Sequence, residues 1–139
     1  MTGPARPPFE CLELDHVVLR VRDQAASQRF YTEVLGLTLD HVNEPIRLIQ
    51  LRCGRHLIDL LPIRAGDAPE PSARLDHVCL SIACDDLATV VAFLRDQAVE
   101  VQGEPVSRRG AFGQGPSIYI RDPDGYRIEL KLRGSGADA

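Results

Sequence analysis

The sequence predicts an α+β chain assembled from two copies of one unit, a strand, a helix and further strands. Three observations predict it. The segment Leu14-Asp15-His16-Val17-Val18-Leu19 returns as Leu75-Asp76-His77-Val78-Cys79-Leu80, identical at five of six positions. Each copy then reaches an aspartate that opens a stretch of helical spacing. Each copy closes on a strand with an acidic residue between apolar ones, Leu57-Ile58-Asp59-Leu60-Leu61 and Arg127-Ile128-Glu129-Leu130-Lys131.

In chain order, the first strand alternates, so Val17, Leu19 and Val21 form an apolar face and His16, Val18 and Arg20 the opposite one. Asp23 can cap a helix running to about Leu35, with Ala26, Phe30 and Val34 on one stripe and Gly36 as its stop. Residues 47–52 and 57–61 read as strands around the turn Arg52-Cys53-Gly54-Arg55. Residues 62–72, with three prolines and Gly66, separate the copies. The second copy opens with Val78, Leu80 and Ile82 on the apolar face and His77, Cys79 and Ser81 on the other. Asp85 or Asp86 caps a helix whose Leu87, Val90, Val91 and Leu94 fall at i, i+3, i+4 and i+7. Residues 117–121 read as a strand before Asp122-Pro123-Asp124-Gly125, a tight turn in which Pro presets φ and Gly accepts positive φ. The domain is expected over 11–132, with module one at about 11–62, a linker at 63–73, module two at about 74–132, and tails at 1–10 and 133–139.

Composition narrows the class of function. The 139 residues carry 16 Lys+Arg against 20 Asp+Glu, a net charge of −4, with the basic residues scattered. That argues against a nucleic-acid footprint or a membrane-surface binder and leaves small molecules as the expected partners. No apolar run approaches the roughly 20 residues of a membrane span, and the N-terminal stretch has no secretory pattern, so a cytoplasmic location is expected. Cys11, Cys53, Cys79 and Cys84 form no metal or redox spacing and read as reduced structural residues. A chain of this length can bury enough surface to fold without a metal, so any metal would serve function.

The apolar strand faces are expected to pack on the helices, which turns His16 and His77 away from them. Asp59 and Glu129 likewise oppose the apolar residues beside them. Each half therefore offers one imidazole on its first strand and one carboxylate on its last, and two facing halves would converge His16, Asp59, His77 and Glu129. Borderline nitrogen and hard oxygen donors suit Ni²⁺, Co²⁺, Zn²⁺, Mn²⁺ or Fe²⁺. His56 has the parity of the packed face and His41 has no counterpart, so neither is included.

These residues and the motifs LDHVVLRVRD, QRFYTEVLGLTL, LDHVCLSI and IYIRDPDGYRIEL resemble the vicinal oxygen chelate superfamily. It holds glyoxalase I, fosfomycin and bleomycin resistance proteins, methylmalonyl-CoA epimerases and extradiol dioxygenases. The resemblance covers about residues 12–132. It implies tandem βαβββ modules forming a curved open barrel, metal ligands at His16, Asp59, His77 and Glu129, and a homodimer in which modules of two subunits complete each barrel. The four-donor set and the ending DPDGYRIEL resemble glyoxalase I most. Arg20 matches an arginine that grips the γ-glutamyl part of glutathione there, which makes glutathione a candidate cosubstrate. Asp59 stands where that enzyme carries Glu, and residues 103–116 are closer to a glyoxalase-domain subfamily with bacterial virulence-associated members.

The activity so implied is that of a lactoylglutathione lyase, proton transfer through an enediolate whose two oxygens are chelated by the metal. Glu129 is the first choice of base and Asp59 the second. Arg127 and Lys131 flank Glu129, and Arg108 and Arg109 lie on an expected Gly-rich loop, a candidate lid; Arg20, Arg109, Arg127 and Lys131 are the candidate substrate contacts for an anionic adduct. Three other classes are expected alternatives: a non-haem iron dioxygenase using His16, His77 and Glu129, a thiol transferase of the fosfomycin-resistance type, and a metal-free drug-binding protein.

Overall fold

The two copies of the repeat fold into two four-stranded sheets with the same topology. In the computed structural model, which describes residues 12–67 and 75–133, module one contains β1 (His16–Val21), α1 (Gln24–Arg29), β2 (Thr38–Asn43), β3 (Leu48–Cys53) and β4 (His56–Pro62). Module two contains β5 (Val78–Ile82), α2 (Leu87–Asp96), β6 (Val101–Gly110), β7 (Gly113–Arg121) and β8 (Arg127–Leu132). The sheet orders are β1-β4-β3-β2 and β5-β8-β7-β6. In each, the first strand lies parallel to the last while the rest are antiparallel. A parallel pair needs a crossover between its strands, and the helix after each first strand begins it. This is the α+β tandem βαβββ arrangement.

Both helices start where their aspartates place them. The Asp23 carboxylate accepts from the Ala26 amide and the Asp86 carboxylate from the Thr89 amide, each satisfying a donor that the first turn leaves free. The first helix does not run uniformly to Leu35. From Phe30 to Val34 it widens into a π turn, closed by the Leu35 amide on the Phe30 carbonyl at 3.1 Å. Its packed face includes Ser27 and Tyr31, both fully buried. In α2 the stripe is as spaced, with Leu87 and Leu94 buried and Val90 and Val91 packed against the core.

Two expectations are corrected. Residues 103–116 are not a loop: β6 and β7 form a hairpin whose pairs run from Val106 with Ser117 to Gly110 with Gly113. Arg108 and Arg109 are therefore strand residues, not loop residues. Two of the hairpin's glycines are needed for close approach. A Cβ on Gly110 would lie 3.2 Å from the Lys131 stem, and one on Gly115 would lie 2.5 Å from the Leu132 carbonyl oxygen. Arg133, assigned to the tail, is held at the end of β8, its amide donating to the Ile82 carbonyl at 2.9 Å. The expected tail residues 1–10 and 134–139, most of the linker, and Cys11 fall outside the described residues. Cys53, Cys79 and Cys84 are free thiols.

Buried residues of the two modules form one cluster, from Leu19, Val21, Phe30 and Tyr31 to Ile118, Ile120, Ile128 and Leu130. The turn 122–125 joins them by more than packing. One Asp122 oxygen accepts from the Asp124 and Tyr126 amides at 2.9 and 2.8 Å, and the other accepts from the Tyr31 hydroxyl at 2.8 Å. Asp124 accepts from the Arg22 amide at 2.8 Å, the Arg22 Nε at 3.1 Å and the Ser27 hydroxyl at 3.3 Å. The Tyr126 hydroxyl donates to the Arg20 carbonyl. Burial pushes the Asp122 carboxyl above its ordinary range and the Tyr31 hydroxyl well above its own. Tyr31→Phe, which leaves that carboxylate short of a donor, should lower stability by about 1–3 kcal/mol in urea unfolding. Gly115→Ala, forced against backbone, should cost about 1–3 kcal/mol as an overpacked site.

Candidate metal centre

The parallel first-to-last pairing places an imidazole beside a carboxylate in each module. In module one Val18 pairs with Asp59, and His16, two residues earlier on the same face, brings its Nε2 to 3.9 Å from an Asp59 oxygen. In module two Cys79 pairs with Glu129, and the His77 Nε2 lies 3.1 Å from Glu129 Oε1. The shorter side chain leaves the wider gap. Asp59 and Glu129 are only 3% and 5% exposed, on strands whose neighbours Ile58, Leu60, Ile128 and Leu130 fill the core.

Each imidazole is held from behind. The Asp15 carboxylate meets His16 Nδ1 at 2.6 Å and the Asp76 carboxylate meets His77 Nδ1 at 2.6 Å. An imidazole that engages a carboxylate through one nitrogen presents the other in a fixed direction, the arrangement commonly found behind metal-ligating histidines. The hydrogen bond from Asp15 raises the His16 pKa above its ordinary 6.5 against the opposing effect of burial, with the Asp59 charge adding to the rise. A proton and a cation compete for that imidazole.

The carboxylates have matched neighbours as well. Gln50, the β3 partner of Asp59, donates its amide to both Asp59 oxygens at 3.2 Å. Tyr119, the β7 partner of Glu129, stands edge-on to the His77 ring with centroids 5.5 Å apart. Burial, then the Glu129 charge, pushes the Cys79 thiol to about 11. Asp15, Asp76, Gln50 and Tyr119 are absent from the residues singled out in the sequence; the Asp-His dipeptide common to both copies is the signal that marks the first two.

The four predicted donors are thus brought together as two pairs. Among the described residues no three His, Cys, Asp or Glu side chains gather into one metal-binding group. Of the candidate substrate contacts, Arg20 donates Nη1 to the Pro62 carbonyl at 3.0 Å on the His16 face. Arg127 lies 3.7 Å over the Tyr119 ring and 3.5 Å from Asp76. Lys131 is buried, its Nζ on the Gly113 carbonyl at 2.7 Å, where it ties down the hairpin. Arg109 is exposed on β6 opposite Gln114. No helix among the described residues is long and apolar enough to cross a membrane.

Comparison with known proteins agrees with this architecture. The pattern of the Glyoxalase/Bleomycin resistance protein/Dioxygenase superfamily matches residues 13–130. Virulence protein STM3117 of Salmonella typhimurium is 32% identical over 120 residues, spanning 84% of this chain and 81% of that one. A probable chloroplastic lactoylglutathione lyase of Arabidopsis thaliana is 35% identical over 127 residues, covering 86% of this chain but 35% of its own. Among solved structures, the integron cassette protein VCH_CASS1 from the mobile metagenome of V. cholerae superposes with a TM-score of 0.70 at 33% identity, covering 91% of this chain and 98% of that one. The chain therefore belongs to the glyoxalase, bleomycin resistance protein and dioxygenase superfamily, also called the vicinal oxygen chelate superfamily.

Proposed function

We propose that the chain is a metal-dependent enzyme that binds a small substrate through two neighbouring oxygens and moves a carbon-bound proton between adjacent carbons, as a lactoylglutathione lyase does. The observation that carries this reading is the twice-built pair of a carboxylate-oriented imidazole and a buried carboxylate. His16, Asp59, His77 and Glu129 would hold the ion, and two nitrogens with two carboxylates fit Ni²⁺, Zn²⁺, Co²⁺, Mn²⁺ or Fe²⁺. When bound, it supplies Lewis acidity to the two substrate oxygens. Since neither pair has a third donor among the described residues, each centre takes the module-one pair from one protomer and the module-two pair from its partner in a cytoplasmic homodimer.

The chain's own residues do the rest. Asp15 and Asp76 fix the imidazoles so that Nε2 faces the centre. Glu129, one methylene longer than Asp59 and not held by an amide as Asp59 is by Gln50, takes the proton from the substrate carbon and returns it to the neighbouring one, with Asp59 second. Arg20, on the His16 face, suits the γ-glutamyl carboxylate of a glutathione adduct. The grip of Gln50 on both Asp59 oxygens also favours a second reading. There His16, His77 and Glu129 alone form a two-histidine, one-carboxylate set for a non-haem iron dioxygenase.

Protein purified without chelators should contain close to one divalent ion per chain and turn over methylglyoxal with glutathione after loading with Ni²⁺, Zn²⁺ or Mn²⁺. No bound metal and no metal-dependent thermal shift would sink the reading; iron with substrate-dependent oxygen uptake would favour the dioxygenase. Glu129→Gln should lower turnover by roughly 10²–10⁴-fold, the range for losing a general base, and reduce metal occupancy. Asp15→Asn and Asp76→Asn should each weaken metal binding about 10–100-fold, as loss of a carboxylate behind a ligating histidine does. Metal affinity should fall as pH drops through the raised pKa of His16, because the proton and the metal compete for the imidazole.

A further inference from the structure

The two modules match at the donors but diverge around them. On the face of module one that carries His16 and Asp59, the strand neighbours are Val18, Leu48, Leu57 and Leu61. Its two arginines are already engaged, Arg20 on the Pro62 carbonyl and Arg52 on Asp40 and the Arg55 carbonyl. Module one thus surrounds its donor pair with a largely apolar wall, in which Arg52 is paired with Asp40 and Arg20 stands at the strand end with one N–H on a carbonyl.

The corresponding face of module two is cationic. Arg108 and Arg127 both stack on Tyr119, at 5.0 and 3.7 Å from the ring centroid, and Tyr119 is the strand partner of Glu129 and touches the His77 ring. Stacking holds the guanidinium planes without using their N–H groups. The Arg108 Nε is buried with no hydrogen-bond partner among the described residues. A buried donor left without a partner costs free energy, and such a group in a native structure is commonly completed by a ligand or water. Arg127 has one carboxylate near it, the Asp76 side chain that also engages His77. The other cations on this face are engaged, Lys131 on the Gly113 carbonyl, Arg121 on the Gly125 carbonyl, and Arg133 on the Ser81 hydroxyl and the Phe112 ring.

Resting on the metalloenzyme reading above, we infer that the substrate is an amphiphilic anion. A carboxylate or other oxyanion remote from the chelated oxygens is held by Arg108 and Arg127 on module two, and an apolar portion lies against Val18, Leu57 and Leu61 of module one. Arg108 takes the part that sequence reading gave to Arg109 and Lys131: Arg109 points from an exposed strand position, and Lys131 is consumed by the hairpin. A planar guanidinium held by stacking suits a carboxylate or phosphate geometrically.

The test uses two redox-inert chelators with the same vicinal oxygens, benzohydroxamate and 4-carboxybenzohydroxamate, titrated calorimetrically into the Ni²⁺-loaded protein. The carboxylated compound should bind at least about tenfold more tightly, the gain expected of one charge-assisted contact. Arg108→Gln should bring the ratio close to one with metal content and benzohydroxamate affinity retained, and Arg108→Lys should restore part of it. A ratio near one in the wild-type protein, or one preserved in both Arg108→Gln and Arg127→Gln, overturns the inference. If no metal is taken up, the metalloenzyme reading fails by itself. The anion site is then read on the metal-free protein from NMR shifts induced by benzoate against benzyl alcohol: an Arg108-dependent preference for benzoate supports it, and no preference overturns it.

Discussion

The parallel pairing of first strand with last is the constraint from which the remainder follows. It sets a residue near position 16 beside one near position 59, and position 77 beside position 129, at hydrogen-bonded strand spacing. Once a histidine precedes the first strand's outward residue by two and a carboxylate faces that residue on the last strand, they meet. The apolar residues between them, Leu19, Val21, Ile58 and Leu60 in one module and Ile118, Ile128 and Leu130 in the other, hold the register because a slip of one residue would exchange core for solvent. The candidate donors and the core residues use opposite faces of the same strands, so neither set constrains the other.

Much of this is legible in the chain because it rests on local rules. Period-two alternation marks the strand faces, Asp23 and the Asp85-Asp86 pair mark the helix starts, and the near-identity of residues 14–19 and 75–80 marks the repeat. What escapes is what depends on distant approach. Tyr31 reads as an ordinary aromatic until the turn 91 residues later offers it Asp122. Residues 103–116 read as a loop because four glycines and two prolines dominate local propensity, while the pairing of β6 with β7 and the anchoring of Gly113 by Lys131 are tertiary facts. Lys131 shares a face with Glu129, as alternation requires, yet parity gives no sign that its ammonium group is already bound.

Duplication gives a way to separate what a centre requires from what a substrate requires. The features common to both modules are the Asp-His dipeptide, the carboxylate on the last strand and a polar side chain paired with that carboxylate, Gln50 or Tyr119. Those are the features expected of a cation site. The features that differ, apolar side chains in one and stacked guanidinium groups in the other, are free to follow the ligand. If the two pairs close into one four-donor centre as proposed, the two unlike walls would also orient its ligand, since a molecule turned end for end would bring its charge to Leu57 and Leu61 and its apolar part to Arg108.

The turn 122–125 has a role beyond joining two modules. Asp122 is anchored to the first module's helix and Glu129 lies seven residues further along the same chain, the first of them in the turn and the last three in a strand. The turn therefore acts as a gauge block between core and centre: its length fixes how far β8 has advanced when it passes β5, and so the depth at which Glu129 sits. A residue inserted there must either bulge out of the turn and break the contacts of Asp122 and Asp124, or slip β8 by one, which would turn Glu129 onto the core face and bring Ile128 into its place.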